Sequence, residues 1–163
     1  MPEAPTHLAA IALGSNLPSR FGSPRDTLTE AFAQLASLGT LRAVSRLYTT
    51  DPVGYTAQPR FTNAAVLLET TLAPHSLLES LLALERRMGR DRSASAIHKG
   101  PRILDLDLLL FEDIILNTPT LQLPHPELAH RRFVLEPLAD IAADIVDPRT
   151  HLTIRELLNR LAR

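Results

Sequence analysis

Cysteine is absent from the 163 residues, which excludes a disulfide framework and any thiolate metal centre. Excess charge is absent too. Seventeen Lys and Arg against 18 Asp and Glu leave a formal net charge of −1, so no broad field draws the chain to nucleic acid or to a membrane, and any affinity for phosphate must be built locally. No apolar run approaches the ~18 residues of a membrane-spanning helix, and Met1–His7 lacks the basic and apolar parts of a signal peptide. The expectation is a cytoplasmic protein with neither nucleic acid nor membrane as partner. No repeat, low-complexity segment or G-x-x-x-x-G-K-[ST] phosphate loop occurs. Glycine is scarce, 6 residues against 13 prolines, so loops are stiffened rather than loosened. What is present is an apolar fraction of 45%, sufficient for one core, and a length that suits one domain over 1–163, expected as a monomer.

The chain is organised around Lys99-Gly100-Pro101-Arg102-Ile103-Leu104-Asp105-Leu106-Asp107-Leu108-Leu109-Leu110-Phe111. A period of two puts Leu104, Leu106, Leu108 and Leu110 on one strand face and Ile103, Asp105, Asp107 and Leu109 on the other. The leucines belong in a core. The carboxylates stand about 6.6–6.8 Å apart at Cα and can converge on one cation or on a pair about 3.5–4 Å apart; the other reading of a bare D-x-D is an exposed face with two solvated Asp residues. Uncompensated, two ionised carboxylates at about 4 Å repel by about 4 kcal/mol at an effective dielectric near 20. Positive charge is therefore expected beside them. Arg102 lies three residues ahead of Asp105 on a chain constrained by Gly100-Pro101, and it is placed to supply that charge.

His7–Leu13 reads as a first strand ending in Gly14-Ser15-Asn16, either a plain turn or a loop whose N–H groups and Asn16 help hold a ligand. Pro24–Leu38 carries Leu28, Ala31, Phe32, Leu35 and Leu38 at helical spacing. Thr40–Thr49 and Phe61–Glu69 read as strands joined by 50–60, too long for a tight hairpin and so a candidate functional loop. Alternation sends Phe61 and Asn63 to one side, where the ring can stack on a flat heteroaromatic ligand and the amide offers it a donor and an acceptor. The alternative is a core ring and a strand-edge amide.

A second helix runs from Pro74 to Gly89 on Leu77, Leu78, Leu81, Leu82 and Met88, with Glu85 read as a solvated surface residue. From Arg90 to Lys99 charge lies among small residues without apolar periodicity. This is either a solvated loop or a set of arginines that neutralise a polyphosphate. His125 sits between two prolines with Arg131-Arg132-Phe133 beyond it, either structural or, with arginine, a donor to phosphate. Val134–Ile141 and Ile154–Leu161 read as structural helices, the latter opened by the capping-box spacing of Thr153 and Glu156. Strand, helix, strand, strand, helix, strand is the order of a split β-α-β, a ferredoxin-like α+β sheet with helices on one face.

Lys99-Gly100-Pro101-Arg102 with the Asp105-Leu106-Asp107-Leu108-Leu109 run, and further matches from Ala12-Leu13-Gly14-Ser15-Asn16 to about Pro148, resemble the 6-hydroxymethyl-7,8-dihydropterin pyrophosphokinase family. The resemblance implies a ferredoxin-like sheet with additional C-terminal helices on its other face. It also implies transfer of a diphosphate from ATP to the 6-hydroxymethyl group of 6-hydroxymethyl-7,8-dihydropterin, a step of tetrahydrofolate biosynthesis. By the same resemblance Asp105 and Asp107 hold two Mg²⁺ ions, Arg90 and Arg102 stabilise charge between the α- and β-phosphates, and Asp107 or water takes the hydroxyl proton. Arg90, Arg92, Arg102, His125 and Arg131 bind ATP; Thr50, Val53, Gly54 and Asn63 bind the pterin between Phe61 and Phe133; Glu85 lies near the substrates. The chain departs from the family pattern at Lys99, where many members carry an aromatic residue, at Pro126, where some have Tyr, and in an Arg90–Arg102 loop longer than that of short-loop members.

Two other classes fit parts of the pattern. A palm-like nucleotidyl transferase or cyclase also places D-x-D on a ferredoxin-like sheet. An RNA-binding module shares the sheet but calls for stacking aromatics and a basic surface, where this chain is weakly acidic and puts Asp105 and Asp107.

Overall fold

A computed structural model describes residues 4–53, 56–90 and 101–161. Gly54, Arg92 and Lys99, each singled out above, lie outside the described residues. The elements run β1 (His7–Ser15), α1 (Pro24–Leu35), β2 (Thr40–Val44), β3 (Tyr48–Thr50), β4 (Phe61–Thr70), α2 (Pro74–Arg87), β5 (Asp105–Phe111), β6 (Leu116–Asn117), β7 (Gln122–Leu123), α3 (Arg132–Ala142) and α4 (Ile154–Leu161). The main sheet has the antiparallel order β2-β4-β1-β5, with β3 beside the start of β4; β6 and β7 pair separately. This is the ferredoxin-like arrangement expected from the element order.

The period-two pattern decides which helices cover which face. Ala9, Ile11 and Leu13 of β1 and Ala64, Val66 and Leu68 of β4 pack with Leu28, Ala31 and Leu35 of α1 and Leu77, Leu81 and Leu84 of α2. The alternate residues Ala10, Ala12, Ala65 and Leu67 meet Val134, Leu135 and Leu138 of α3 and Ile154 and Leu157 of α4. Three of those four strand residues are alanine, which leaves room for α3 to lie close on the sheet. The C-terminal helices thus cover the second face, as the resemblance implied.

Local signals fix the helix ends. Ser23 caps α1 in a capping box with Asp26, and Pro24 opens the helix. Thr153 and Glu156 form the expected box at α4, at 3.1 and 3.2 Å. Gly89, at φ +102, ends α2 in a conformation that favours glycine. No helix among the described residues is long and apolar enough to cross a membrane.

Two expectations are corrected. Thr40–Thr49 is not one strand. Ser45 accepts the Ala65 N–H on its hydroxyl at 2.8 Å, taking a ladder bond with its side chain, and the chain kinks into β2 and β3. In β5, Ala10 pairs with Leu110 but Ile11 with Leu108, so Leu109 is the extra residue of a bulge. Leu104, Leu106 and Leu108 enter the α1/α2 core as expected; beyond the bulge the phase reverses, so Leu110 joins the α3/α4 core and Phe111 the other. The Asp105–Asp107 half of the strand precedes the bulge and keeps its alternation.

Candidate active site

Strand β1 runs antiparallel to both neighbours, so its C-terminal end lies between the N-terminal ends of β4 and β5. Gly14 stands opposite Asn63 and Asp105, and Ala12 opposite Ala65 and Asp107. These two small residues floor a cleft on the α3 side of the sheet. Its walls are Phe61 and Asn63 of β4, Asp105 and Asp107 of β5, Arg131, Phe133 and Val134 at the start of α3, Thr50 at the end of β3, and Asp51 and Val53 of the loop that follows. A Cβ on Gly14 would meet the Asn63 Oδ1 at 3.0 Å, so the Asn63 side chain would have to give way to admit one. The Asn63 amide donates to the Thr50 hydroxyl, which fixes its orientation in the cleft.

Two guanidinium groups supply the positive charge expected beside the carboxylates. Arg90, just past the end of α2, brings Nη1 to 2.6 Å from Asp105 Oδ1 and 3.0 Å from Glu85 Oε2. Arg102 places Nη1 3.2 Å from the other Asp105 oxygen. Burial works against the charge on Arg90, and the carboxylates of Asp105 and Glu85 more than offset it, so its pKa lies above the ordinary value.

Asp107 stands differently. Loss of solvent, followed by the charge of Asp105, pushes its pKa up to about 7, although 31% of the side chain is exposed. His125 Nε2 lies 3.9 Å from Asp107 Oδ1. The His125 Nδ1 accepts the Glu127 N–H at 3.1 Å, so the neutral ring carries its proton on Nε2, facing the carboxylate. Desolvation, then the charge of Arg131, lowers the His125 pKa and favours that neutral form.

A second cleft opens on the α2 side, lined by Leu78, Leu82, Leu106, Leu108, Pro119–Gln122, His125 and Pro126, and it also reaches Asp107. The two clefts therefore meet at Asp107. Asp105 and Asp107 offer hard carboxylate oxygens from alternate positions of one strand, and among the described residues no group of three or more His, Cys, Asp or Glu side chains could hold a metal ion. Two carboxylates fit Mg²⁺, whose remaining positions are ordinarily filled by water and substrate phosphate.

Of the residues proposed from sequence, Thr50, Val53, Phe61, Asn63, Arg102, Asp105, Asp107, Arg131 and Phe133 line the first cleft, His125 lines the second, and Arg90 sits behind Asp105. Glu85 is a correction. Its side chain is fully buried rather than solvated, and it accepts the Leu106 N–H at 2.7 Å as well as the Arg90 bond. The signal was present: Glu85 lies four residues after Leu81, on the helix's buried stripe.

Asn16, 2% exposed, is a support rather than a ligand contact. Its Oδ1 accepts the Arg102 N–H at 2.9 Å, and its Nδ2 donates to Gln58 Oε1 at 2.9 Å and to the Pro59 carbonyl at 3.0 Å. One buried amide thus ties the loop before β4 to the approach of β5.

The model of the 7,8-dihydro-6-hydroxymethylpterin-pyrophosphokinase family matches residues 10–143. The chain is 45% identical over 137 residues to the 2-amino-4-hydroxy-6-hydroxymethyldihydropteridine pyrophosphokinase of Pseudomonas aeruginosa, covering 83% of this chain and 80% of that protein. The Bacillus subtilis protein of the same name is 42% identical over 141 residues, 85% of this chain and 80% of its own length. Folic acid synthesis protein fol1 of Schizosaccharomyces pombe is 36% identical over 156 residues, which are 94% of this chain but 20% of that one. Among solved structures, wild-type Plasmodium falciparum HPPK-DHPS with pteroate superposes with a TM-score of 0.74 over 99% of this chain and 43% of that one; at 18% identity this likeness speaks for the fold. With the family's model matched over residues 10–143 and two pyrophosphokinase relatives 45% and 42% identical over more than four-fifths of its length, this chain belongs to the 7,8-dihydro-6-hydroxymethylpterin-pyrophosphokinase family.

Proposed function

We propose that this member of a pyrophosphokinase family of folate biosynthesis binds ATP across Asp105 and Asp107 and passes its terminal diphosphate to a 6-hydroxymethyl-7,8-dihydropterin held in the first cleft. The observation that carries this reading is the meeting of the two clefts at Asp107, beside a carboxylate gripped by two arginines. The pterin ring lies between Phe61 and Phe133, with Asn63, fixed by Thr50, reading its donor and acceptor edge and Val53 closing the slot. The apolar second cleft takes the adenine against Leu78, Leu82 and Leu108. Nε2–H of His125 and the guanidinium of Arg131 donate to phosphate oxygens, with Arg92 a further cation.

Asp105 and Asp107 would hold two Mg²⁺ ions. When bound, these neutralise the triphosphate and make its β-phosphorus open to attack. Arg90 and Arg102 then exchange Asp105 for phosphate oxygens and stabilise the charge that develops between the α- and β-phosphates. The hydroxymethyl oxygen forms the new bond to the β-phosphorus, the bond from that phosphorus to the α,β-bridging oxygen breaks, and AMP leaves. The hydroxyl proton passes to Asp107 or to water. The same reading has the chain acting as one domain, monomeric and cytoplasmic.

Incubation with ATP, Mg²⁺ and 6-hydroxymethyl-7,8-dihydropterin followed by nucleotide chromatography tests this function: AMP supports diphosphate transfer, whereas pyrophosphate release would mean nucleotidyl transfer. Calorimetry tests the slot. Phe61→Ala or Phe133→Ala should each weaken pterin binding by about 1–3 kcal/mol, from lost stacking and burial, and leave ATP affinity nearly unchanged; equal losses for both ligands would make the rings core residues. Gly14→Ala should displace Asn63 and raise the pterin KM by roughly 10-fold, the lower range for one misplaced methyl in a pocket. An unchanged pterin KM would remove Asn63 from the slot.

A further inference from the structure

Glu85 is fully buried near the C-terminal end of α2, at a position where leucine would extend the helix's apolar stripe without any polar group to satisfy. A buried carboxylate is costly unless it is paired and hydrogen-bonded. Here one oxygen, Oε2, serves two partners: the N–H of Leu106, at 2.7 Å, and Nη1 of Arg90, at 3.0 Å. Leu106 is the residue between Asp105 and Asp107. The carboxylate therefore joins the end of α2, the guanidinium of Arg90 and the middle of the acidic pair in a single contact set.

We propose that Glu85 is a positioning residue for diphosphate transfer: it anchors Arg90 to the strand between Asp105 and Asp107, and keeps it there when Asp105 turns to its cation. This rests on the phosphate role given to Arg90 in the proposed mechanism. Among the described residues Arg90 has two carboxylate partners, Asp105 at 2.6 Å and Glu85 at 3.0 Å, both through Nη1. Only one of them is a candidate metal ligand. Once Asp105 is drawn away, an arginine left with the Leu104 carbonyl, at 3.3 Å, as its remaining acceptor among the described residues would regain much of its rotamer freedom and sample many positions around the phosphates. Glu85 lies behind the site, out of reach of the exchange, and restricts that search. Meanwhile Nε of Arg90 is buried with no hydrogen-bond partner among the described residues, a donor of the kind that a ligand oxygen satisfies. Misplacement of a charge-stabilising group by about 1 Å can lower the rate of the chemical step by about 100-fold. Binding of the substrates in their ground state depends far less on it.

The test is a double-mutant cycle on the full chain, read by single-turnover rates. Glu85→Gln keeps a carbonyl oxygen for the Leu106 N–H but removes the charge that holds Arg90. It should slow the single-turnover rate by about 10-fold or more while pterin and ATP affinities stay within about 2-fold. In an Arg90→Ala background the same substitution should change the rate by no more than about 2-fold, because the group through which it acts is gone. Should Glu85→Gln not fold, Glu85→Asp, which retains the charge but draws it back by one methylene, runs the same cycle with the same expected non-additivity. An unchanged rate in the Glu85 variant, or rate losses that multiply in the double variant, would overturn this inference alone. Arg90→Ala without effect on the rate would overturn the phosphate role of Arg90 and this inference with it.

Discussion

Asp107→Asn is expected to lower turnover at saturating Mg²⁺ and ATP by about 1,000-fold or more, as loss of a principal electrostatic group does, while raising the thermal midpoint of the ligand-free protein at pH 8. Asp105→Asn should lose comparable activity without that gain. The difference follows from what each carboxylate touches. Asp105 is held by Arg90 at 2.6 Å and Arg102 at 3.2 Å, so removing its charge leaves two guanidinium groups without their shared partner.

The Asp107 carboxyl is instead pushed up to about 7, first by desolvation and then by the charge of Asp105. Its folded pKa lies above its unfolded one, near 3.9. Below about pH 4 the group is protonated in both states and folding is not penalised; from there to about pH 7 the native chain holds a proton that the unfolded chain has lost, so stability falls as pH rises. Above that window the penalty is complete, and Asn relieves it. With 31% of the side chain exposed, the gain is discounted to roughly 1–3 kcal/mol, or about 2 to 10 °C for a chain of this size. Thermal scans with chelator between pH 5 and 9 check it: wild type and Asp107→Asn should converge toward pH 5 and separate by pH 8. Coincident midpoints at pH 8, or turnover within about 10-fold of wild type, would contradict the assignment.

Arg102→Ala is expected to slow single turnover by about 100- to 1,000-fold without weakening pterin binding to the nucleotide-free protein. Arg102 borders both Asp105, at 3.2 Å, and the Phe61 ring, whose centroid lies 5.8 Å from the guanidinium carbon. On the proposed stacking of the pterin against Phe61, the guanidinium stands in the ring's place in the ligand-free chain. A bound triphosphate competes for it, and movement toward phosphate clears the ring face. A ligand shifts such an arrangement only through its differential affinity for the two states, and a triphosphate has far more of this toward an arginine than a neutral pterin does. Nucleotide should tighten pterin binding, and by reciprocity pterin should tighten nucleotide. Calorimetry with and without a non-transferable ATP analogue reads both effects: the analogue should improve pterin affinity in wild type and much less in Arg102→Ala. Equal pterin affinity in both wild-type titrations would end this coupling, and a parallel fall of pterin affinity and rate in the variant would make Arg102 a structural residue.

Legibility of this site in the sequence followed how locally each part is encoded. The acidic strand was readable because Asp105 and Asp107 alternate with leucines that have one place to go. Phe61 and Asn63 were readable as a pair by the same period, and both line the cleft. Leu110 was not: Leu108-Leu109-Leu110-Phe111 is apolar at every position, so no polar residue marks where the bulge at Leu109 reverses the phase. The split of β2 from β3 turned on one hydroxyl, Ser45, meeting the Ala65 N–H across the sheet, a contact no window of sequence displays. Glu85 was misread because a charged residue on a helix is ordinarily solvated, and its burial depends on Leu106 and Arg90, which are brought to it by the packing of α2 on β5. Phe133 came from the resemblance alone, since its distance from Phe61 is set by how α3 lies on the second face of the sheet. His125 was legible as a donor, but its tautomer is set by the Glu127 N–H, seen once the turn after Pro126 is folded.

The most direct measurement follows ATP carrying ¹⁸O at the α,β-bridging position through one turnover with 6-hydroxymethyl-7,8-dihydropterin, with products separated and weighed by mass spectrometry. Attack on the β-phosphorus across Asp105 and Asp107 breaks the bond from that phosphorus to the bridging oxygen, so the label must leave in the phosphate of AMP and the pterin diphosphate must carry none. Label found in released pyrophosphate would place the attack on the α-phosphorus, and label retained in ADP would place it on the γ-phosphorus; either result would contradict diphosphate transfer at this site.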